Sequence, residues 1–393
     1  MVMATGLLLA EAREMAEDLI ALRRVIHMDP ELGFAEHRTA ALVAGRLRSL
    51  GARVRTGVGR TGLLAELGDG DPVVAIRADM DALPIEEATD LPFASRTRGT
   101  MHACGHDAHV ACAVGAAMLL ARRPLRGTAR LLFQPSEEQK DSEGWSGAMR
   151  MIEDGALDNV RAAVALHTRG LAVGQIGVVD GPALAGNDTI RLTIRGRASH
   201  AAHPEDGLDA IVIAAQVVQA VQQIVARRTR AGVPAVVSLT TIHGGVKENV
   251  LAEHVEIGGT IRHAGPDERT RLIAEIERTL DVGRALGGRC SLDVFEGYPV
   301  TRNDPAVTSA IRSVGRELLG AGNVVEVPFD TWAEDFGYIA ARIPAAMFFL
   351  GVTSDRVPNP VWHSPAFKLD EGALAVGACM LAGATLRLME EIR

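Results

Sequence analysis

Short apolar runs recur along the first and last parts of the chain, and they alternate with segments of helical periodicity. The apolar runs are Val73–Arg77, Ala129–Phe133, Ala162–Leu166 and Ala345–Leu350, and two further strands are predicted at Arg53–Thr56 and Leu63–Leu67. The helical segments are Glu11–Arg24, Arg38–Leu50, Ala108–Ala121, Gly144–Asp154, Pro305–Leu319, Ala333–Arg342 and Glu371–Ile392. Continuous apolar runs of this length predict strands that are buried on both faces. The alternation predicts an α/β domain whose mostly parallel sheet is covered by helices on both faces.

The middle of the chain follows a different order. Alternating and helical patterns predict strand, helix, strand, strand, helix and strand at Thr189–Arg195, Ala210–Arg227, Val236–His243, Val255–Arg262, Asp267–Leu286 and Ser291–Glu296. This β-α-β-β-α-β order is typical of ferredoxin-like α+β domains. We therefore predict that residues 185–297 form a second domain, which is inserted into a first domain made of residues 1–184 and 298–393.

Composition excludes several classes of protein. The chain of 393 residues carries a formal charge of −8 and has no long basic run, so a surface for nucleic acid is not expected. Four cysteines are too few for a disulfide scaffold at this length and suit a reducing compartment. The apolar run Leu7–Ala10 is too short for a signal sequence or a membrane span. We expect a cytoplasmic protein that binds neither nucleic acid nor membrane.

The segment Met101–His109 contains three histidines, a cysteine and an aspartate within nine residues. Cys104 and His106 are two residues apart, so both side chains can face one point in a tight loop. Thiolate and imidazole together suit divalent ions such as zinc, cobalt, nickel or manganese. Asp107 would lie in the first turn of the following helix, or would support a histidine ligand. A helix start that is histidine-rich by chance is the alternative.

Further candidate ligands follow the predicted buried strands. They are Asp79 and Asp81, Glu137 and Glu138, His167, and His363. Ligand sites in α/β sheets form beyond the carboxyl ends of the strands, so these side chains are expected on one rim. Adjacent extended residues point in opposite directions, which would let one glutamate bind a metal while the other faces substrate and water. A solvated acidic loop and polar caps on strand ends are the alternatives.

The number of candidate ligands favours two metal ions. Cys104, His106, Glu138, His167 and His363 exceed what one tetrahedral ion with an open water position requires. Two ions about 3.5–4 Å apart that share a ligand would use all five. Such a site lowers the pKa of its bound water to roughly 7, and a carboxylate outside the ligand set takes the proton.

The sequence resembles the M20 metallopeptidases, and in particular their amidohydrolase branch with hippurate hydrolase, auxin-conjugate hydrolase and N-acetyl-diaminopimelate deacetylase. The matching segments run in the family's order at His27–Glu36, Arg77–Ile85, Met101–His109, Gln134–Glu138, Gly196–Pro204, Gly258–Arg262, Glu334–Phe336 and His363–Phe367. Asp79 stands where other M20 branches carry a metal-binding histidine. This places the chain near the amidohydrolase branch, with Asp79 and Asp81 as supporting residues.

The resemblance implies roles for the candidate residues of the first domain. Cys104 would bridge two metal ions, and His106, Glu138, His167 and His363 would complete the ligand set. Glu137 would be the general base and later the general acid. His102 would support the ligands, whereas His109 would lie on the helix surface or in helix packing.

The resemblance also implies that the inserted domain is a lid and dimerisation module, so a homodimer, or a tetramer built from such dimers, is expected. His200 matches a lid histidine that reaches the active site of a partner subunit and polarises the scissile carbonyl. Asn249 and Arg262 match lid positions that hold a carboxylate or carbonyl oxygen of the substrate. A turn histidine is the alternative for His200, and a strand-end salt bridge is the alternative for Arg262.

The implied activity is that of a metal-dependent amidohydrolase, which cleaves an N-acyl amino acid to a carboxylic acid and a free amino acid. The segment after His167, Thr-Arg-Gly-Leu-Ala-Val, departs from the family's usual aromatic and proline-containing run, so the acyl group is left open. A dipeptidase or aminopeptidase on the same scaffold is the alternative among enzymes. A non-catalytic binding protein with a vestigial metal site is the alternative outside them.

Overall fold

The chain folds into two compact units. The computed structural model describes residues 2–392, with side chains from residue 7 onward. The first unit contains the residues up to Gly181, Arg302–Pro328 and the residues from Tyr338 on, and the second contains Pro182–Thr301 and Phe329–Gly337. The predicted boundaries at residues 185 and 297 lie inside the second unit. That unit also includes Phe329–Gly337, which the prediction assigned to the first domain.

The described residues form helices and strands that are numbered here along the chain. The helices are α1 Val2–Glu14, α2 Ala16–Met28, α3 His37–Ser49, α4 His106–Ala121, α5 Gly147–Glu153, α6 Ala210–Val221, α7 Pro266–Ala285, α8 Pro305–Leu319, α9 Gly337–Ala340 and α10 Ala373–Glu391. The strands are β1 Arg53–Val58, β2 Gly62–Gly68, β3 Val73–Asp79, β4 Thr128–Gln134, β5 Val160–Ala172, β6 Ile176–Val178, β7 Gly181–Leu184, β8 Gly186–Arg195, β9 Ala235–Gly244, β10 His254–His263, β11 Arg289–Glu296, β12 Thr301–Asn303, β13 Val324–Glu326 and β14 Ala345–Thr353.

Eight strands form the main sheet of the first unit, in the order β1-β2-β4-β3-β5-β14-β6-β13. The four central strands, β4, β3, β5 and β14, run parallel to one another. Antiparallel pairs flank them, between β2 and β4 and between β14 and β6. All seven residues of β3 are buried, which requires cover on both faces of the sheet. The predicted α/β fold with a mostly parallel sheet is confirmed.

Helix α4 packs closely against α10 in the core, and its first residue, His106, contacts Asp81 just past the end of the central strand β3. All residues of α4 except Met118 and Ala121 are buried. A Cβ added to Gly115 would lie 2.7 Å from the Ala378 Cβ, and one added to Gly377 would lie 2.4 Å from Cys112 Sγ. The two glycines therefore allow a helix–helix approach that larger residues would prevent.

Several predicted elements differ from the structure. The predicted helix Glu11–Arg24 is divided at Met15, and α2 continues beyond the predicted end to Met28. The predicted helix Ala333–Arg342 is wrong except at Gly337–Ala340. Glu334 is buried there, and its carboxylate accepts a hydrogen bond from the Phe336 N–H, which competes with helical hydrogen bonding.

The second unit contains an antiparallel sheet of four strands in the order β11-β8-β10-β9. The element order β8-α6-β9-β10-α7-β11 matches the predicted ferredoxin-like pattern. Apolar residues of α6 and α7 form one core with the sheet, among them Ile213, Val217, Leu272 and Ile276. Strand β9 lies at the sheet edge, and its residues from Thr240 onward are exposed.

Two helical segments have the length and apolar composition of a membrane span, Ala210–Arg228 and Ala373–Glu391. Core helices of soluble proteins share both properties, and 83% of the second segment's window is buried inside the protein. Length and composition are therefore weak evidence for a membrane segment here.

A buried ion pair joins α2 to the first turn of α4. Arg23 Nε lies 2.8 Å from Asp107 Oδ2, and both side chains are almost fully buried. Replacing Arg23 by Met would leave the Asp107 charge without its guanidinium, so we expect the free energy of unfolding to fall by about 3–5 kcal/mol. Urea unfolding followed by circular dichroism measures this loss.

The matched control is Arg53→Met, because Arg53 forms a solvent-exposed pair with Asp69. Exposed pairs contribute about 0–1 kcal/mol, so this variant should unfold close to the wild type. Equal losses in the two variants would contradict the importance of the buried pair.

Candidate metal centre

The predicted metal ligands lie in one cluster of the first unit. Ligand atoms of Cys104, His106 and His167 all lie within 4.8 Å of one another, and so do those of Cys104, Glu138 and His363. A third group with the same spacing contains His106, Glu137 and Glu138. The three groups share members, so the five predicted ligands and Glu137 converge on one place. Cys104, His106 and Glu138 each belong to two of the three groups, and Cys104 shares a group with every other predicted ligand.

Two of the candidate ligands come from the start of α4 and the loop before it. Cys104 lies in that loop, and His106 is the first residue of α4. Gly105 between them has a φ of 93°, and a Cβ there would lie 3.0 Å from Thr168 Oγ1. Glycine permits this left-handed turn without a clash, and the turn presents Cys104 and His106 to the same point.

His167 lies inside β5 and not beyond its end, so this part of the prediction is wrong. The predicted strand ended at Leu166, whereas β5 extends to Ala172. The extension follows from pairing with β14, whose register continues past His167 to Thr353 opposite Ala172. The residue pattern of one strand does not show how far a neighbouring strand will pair with it.

His363 reaches the cluster from a long loop after β14. Its backbone has a φ of 59°, which is uncommon for a residue with a side chain. The His363 N–H donates to the Ala103 carbonyl at 2.9 Å, and this bond ties the loop to the segment that carries Cys104. His363 Nε2 lies 3.2 Å from Glu138 Oε1.

Glu137 and Glu138 reach the same part of the cluster, contrary to the expectation that they point in opposite directions. That expectation assumed an extended chain, but the chain bends at both residues and Ser136 before them has a φ of 45°. The Glu138 N–H donates to Asp81 Oδ2 at 2.9 Å. A left-handed residue and an anchored amide thus replace the regular alternation of a strand.

The two buried histidines of the cluster are oriented through their Nδ1 atoms. His106 Nδ1 lies 2.9 Å from the Asp81 carbonyl oxygen, and His167 Nδ1 lies 2.9 Å from that of Thr168. A carbonyl only accepts hydrogen bonds, so Nδ1 carries a proton in each ring, and Nε2 is the nitrogen that can bind a cation when it is unprotonated. His167 Nε2 lies 3.5 Å from Cys104 Sγ. Metal-binding histidines are typically held in this way.

The donor set fits a divalent cation. Among the described residues, neither His106 Nε2 nor Glu138 Oε1 takes part in a well-oriented hydrogen bond, although both atoms are buried and His363 Nε2 lies 3.2 Å from Glu138 Oε1. An unsatisfied buried polar group costs about 1–3 kcal/mol, which a cation bound to these atoms would offset. The combination of sulfur, imidazole nitrogen and carboxylate oxygen suits first-row divalent ions.

Burial and neighbouring charges shift the pKa values of the side chains in the cluster. Burial, followed by the charge of Glu138, raises the pKa of the Cys104 thiol well above its usual value. Burial and the nearby His109 lower the pKa of His167 well below its usual value, which keeps that ring neutral. Burial lowers the pKa of His106, but Asp79 and Cys104 raise it more, to well above its usual value. A proton and a cation therefore compete for His106 Nε2.

Asp79 and Asp81 support the cluster from the end of β3. Besides holding the Glu138 amide, Asp81 lies with Oδ1 3.2 Å from His106 Nδ1. Asp79 is bonded by Arg77 Nη1 and by His109 Nδ1, each at 2.6 Å. Burial raises the pKa of Asp79, but the charges of His106 and Arg77 hold it well below its usual value.

His109 does not lie on the helix surface, so that alternative is wrong. The ring is buried, its Nδ1 bonds Asp79, and its Nε2 accepts the Thr168 N–H at 3.1 Å. Thr168 was not predicted as a site residue, because a threonine matched no metal-ligand pattern. Its Oγ1 bonds the Cys104 carbonyl at 3.3 Å and accepts from Trp362 Nε1 at 3.0 Å.

Asp107 and His102 were also expected to support the ligands, but neither is hydrogen-bonded to a candidate ligand among the described residues. Asp107 lies in the first turn of α4 as expected, but its Oδ2 bonds Arg23 and His27, each at 2.8 Å, and not a candidate ligand. His102 is buried, and neither ring nitrogen has a hydrogen-bond partner among the described residues. Burial lowers the pKa of His102 to about 4, so the ring is neutral.

The candidate substrate residues His200, Asn249 and Arg262 belong to the second unit. His200 is exposed, its Nδ1 accepts the Ala202 N–H at 3.0 Å, and a β-bridge to Val250 brings it beside Asn249. Arg262 is partly buried in β10, and burial lowers its pKa. No ion pair of Arg262 is found within residues 2–392, so the strand-end salt bridge is absent from the described structure.

Comparisons with known proteins agree with this geometry. Residues 75–387 match the model of peptidase family M20/M25/M40. The chain is 36% identical to an N-acetyl-L-cysteine deacetylase of Bacillus subtilis, over 95% of this chain and 89% of the relative. It is also 36% identical to IAA-amino acid hydrolase ILR1-like 4 of Arabidopsis thaliana, over 98% of this chain and 89% of the relative. The solved structure of the Bacillus subtilis YXEP protein, described as a dinuclear metal binding peptidase from the M20 family, has a TM-score of 0.85 at 33% identity and covers 97% of this chain and 100% of that one.

The family model covers most of the chain, and both relatives match it almost from end to end. The resemblance that was inferred from the motifs is confirmed. The chain belongs to peptidase family M20/M25/M40.

Proposed function

We propose that this protein is a metal-dependent amidohydrolase that cleaves N-acyl amino acids to a carboxylic acid and a free amino acid. The observation that carries the proposal is the convergence of five ligand-type side chains with the Glu137 carboxylate beside them. The prediction of a hydrolase for linear amide bonds is confirmed by the family and by relatives named as a deacetylase and an amino acid hydrolase.

The cluster would hold two divalent ions. Cys104 would be the shared ligand, because its sulfur lies within 4.8 Å of a ligand atom of each of the other four candidate ligands. His106, Glu138, His167 and His363 would complete the ligand set, and zinc, manganese, cobalt or nickel would suit it. The solved relative that is described as dinuclear supports the number of ions. Bound there, the ions would lower the pKa of a water molecule and polarise the scissile carbonyl.

Glu137 would move the protons of the reaction. Its buried carboxylate lies with His106 and Glu138 in one group of ligand atoms. The carboxylate would take a proton from water as the water oxygen attacks the carbonyl carbon. It would then give this proton to the amide nitrogen as the carbon–nitrogen bond breaks, which releases the carboxylic acid and the amine.

The second unit would serve as lid and dimerisation module. His200 would complete the active site of a partner subunit and polarise the substrate carbonyl, and the guanidinium of Arg262 would bind a substrate carboxylate through two hydrogen bonds. Asn249, next to His200, would bind a substrate oxygen. Two copies of the exposed edge strand β9 would pair about a two-fold axis and satisfy each other's backbone groups. Such dimers would be able to assemble into a tetramer.

A reducing cytoplasm would suit the protein. All four cysteines are free, and Cys104, Cys112 and Cys379 are buried. Cys104 has to remain a thiol or thiolate to bind a metal, which an oxidising compartment would not favour. Neither a nucleic acid nor a membrane surface is part of the proposed function.

A peptidase with a free α-amine specificity is the second candidate, because the solved relative is described as a peptidase. A panel of acetyl-, succinyl-, benzoyl- and indoleacetyl-amino acids, compared with unblocked dipeptides, separates the two. We expect higher kcat/KM values on the N-acyl substrates, loss of turnover on chelation, and recovery with manganese, cobalt, nickel or zinc. Faster cleavage of the dipeptides would favour the peptidase. Metal-loaded protein without turnover on either class would favour a binding protein.

Glu137→Gln tests the proposed proton transfer. The amide keeps the size of the side chain but cannot accept the proton, so kcat should fall by about 10²–10⁴-fold. KM and the bound metal, measured by elemental analysis, should stay close to wild-type values. Glu143→Gln is the control, because Glu143 is an exposed acid that pairs with Arg150. Full turnover of the Glu137→Gln enzyme with metal bound would rule out the role of Glu137.

Ile242→Lys tests the dimer. Ile242 lies on β9 and is 57% exposed, so the charge should disturb edge pairing without affecting the core. We expect a monomer in light scattering and a loss of activity, because His200 would then lack a partner site. Val282→Lys is the control, because Val282 is 40% exposed on α7 of the same unit. A fully active monomer would contradict the proposed role of His200.

A further inference from the structure

Two glutamates, Glu31 and Glu36, precede α3, and their carboxylates bond different parts of the chain. Glu36 directly precedes the helix at the capping position, yet its side chain makes no capping hydrogen bond. Glu31 caps the helix instead: its carboxylate accepts the N–H groups of Arg38 and Thr39, at 3.0 and 2.9 Å. The position next to the helix start therefore does not explain the acidic side chain of Glu36.

The Glu36 carboxylate is completely buried and bonds the loop after β4. Its Oε1 accepts the Phe34 N–H at 3.0 Å and the Ser136 N–H at 2.8 Å, and its Oε2 pairs with Thr61 Oγ1. Burying a carboxylate is costly unless donors surround it, and here three donors do so. One of them, Ser136, is 100 residues away along the chain.

Ser136 is the residue that turns the chain toward the cluster. Its φ of 45° lies in the left-handed region, and it directly precedes Glu137. Its carbonyl accepts the Gly147 N–H at 2.9 Å, and a Cβ on Gly147 would lie 1.5 Å from the Pro135 carbonyl oxygen. The turn is thus fixed on one side by Gly147 and on the other by Glu36.

Glu137 lies between two amides that are each held by a buried carboxylate. The Ser136 N–H donates to Glu36, and the Glu138 N–H donates to Asp81. Asp81 also contacts the cluster through His106. Glu36 has no such contact with a candidate ligand among its hydrogen bonds, so its effect on the site would pass through the backbone of Ser136.

We propose that Glu36 is a positioning residue for the general base: its carboxylate fixes the left-handed turn at Ser136 and so sets where the Glu137 carboxylate lies. The proposal rests on the function proposed above. A displacement of about 1 Å in a reacting group can cost about 10²-fold in rate. Without Glu36, the Ser136 amide would lack its acceptor, whereas Glu138 would remain anchored by Asp81.

The hydrogen-bond pattern of Glu36 predicts which replacement preserves the turn. A glutamine can accept both N–H groups through Oε1 and can donate from Nε2 to Thr61 Oγ1. Burial, followed by the charge of Asp81, raises the pKa of Glu36 to about 7, so the carboxyl is often neutral near that pH. Glu36→Gln should therefore retain the turn, and Glu36→Ala should lose it.

Steady-state kinetics on N-acyl amino acids test the proposal. For Glu36→Ala we expect kcat to fall by about 10–100-fold, with KM and bound metal within about twofold of wild type. Glu36→Gln should keep kcat within about threefold of wild type. Glu31→Ala is the matched control: it removes a capping carboxylate from the same segment and should lower the melting temperature but not kcat. Wild-type kcat in Glu36→Ala, or equal losses in the alanine and glutamine variants, would overturn the proposal.

Hydrogen exchange of the 134–139 segment adds a readout that does not depend on turnover. Exchange should be faster in Glu36→Ala and unchanged in Glu36→Gln, and equal exchange in the wild type and Glu36→Ala would overturn the proposal. If the wild type does not cleave N-acyl amino acids, the proposed function is wrong. The exchange experiment would still show whether Glu36 anchors the Ser136 turn.

Gly33→Ala provides a second variant in case Glu36→Ala does not fold. A Cβ at Gly33 would lie 2.4 Å from Ser136 Oγ and 2.7 Å from Gln139 Nε2, so these two side chains of the same loop would have to move. Both neighbours are side-chain atoms, which favours a local shift over unfolding. A folded Gly33→Ala enzyme with faster exchange of the 134–139 segment and reduced kcat would support the proposal, and one with faster exchange but wild-type kcat would contradict it.

Discussion

The buried carboxylates at the end of β3 connect the parts of the candidate metal centre. Asp81 contacts the His106 ring and the Glu138 amide, and Asp79 bonds His109, whose other nitrogen accepts the Thr168 N–H next to His167. Residues from α4, from the loop after β4 and from β5 are thereby positioned relative to one strand end. Strand β3 lies in the middle of the parallel part of the sheet and is wholly buried, so this strand end is a fixed point.

The acidic groups of this site, Asp79, Cys104 and Glu138, lie largely out of contact with water and therefore require compensating positive charge. Arg77 supplies part of it for Asp79, and the Asp79 pKa stays well below its usual value despite burial. Cys104 and Glu138 have no such arginine among their described contacts, and burial raises the pKa of the Cys104 thiol. A cation at the cluster would supply that charge. His106 Nε2 and Glu138 Oε1 make no well-oriented hydrogen bond among the described residues, which agrees with a cation at this position.

The sequence predicts those features that depend on residue type and local periodicity. Apolar runs predict the central strands, and the motif around Cys104 and His106 predicts where ligands gather. Long-range pairing is not contained in such patterns: β14 extends β5 beyond His167, and the three-residue strands β6 and β13 are too short to show a period. The choice between helix surface and helix packing stayed open for His109, because only its burial against Asp79 and Thr168 distinguishes the two.

The same carboxylate group serves several purposes within this site, and its surroundings decide which. The oxygens of Glu36 and Asp81 are engaged by backbone N–H groups, so these residues hold the chain. Oε1 of Glu138 lacks such a donor and faces the histidine rings of the cluster, as a metal ligand would. Because the backbone donors come from segments far apart in the sequence, an acidic residue that anchors a loop and one that binds a metal look alike until the fold brings those donors to one of them.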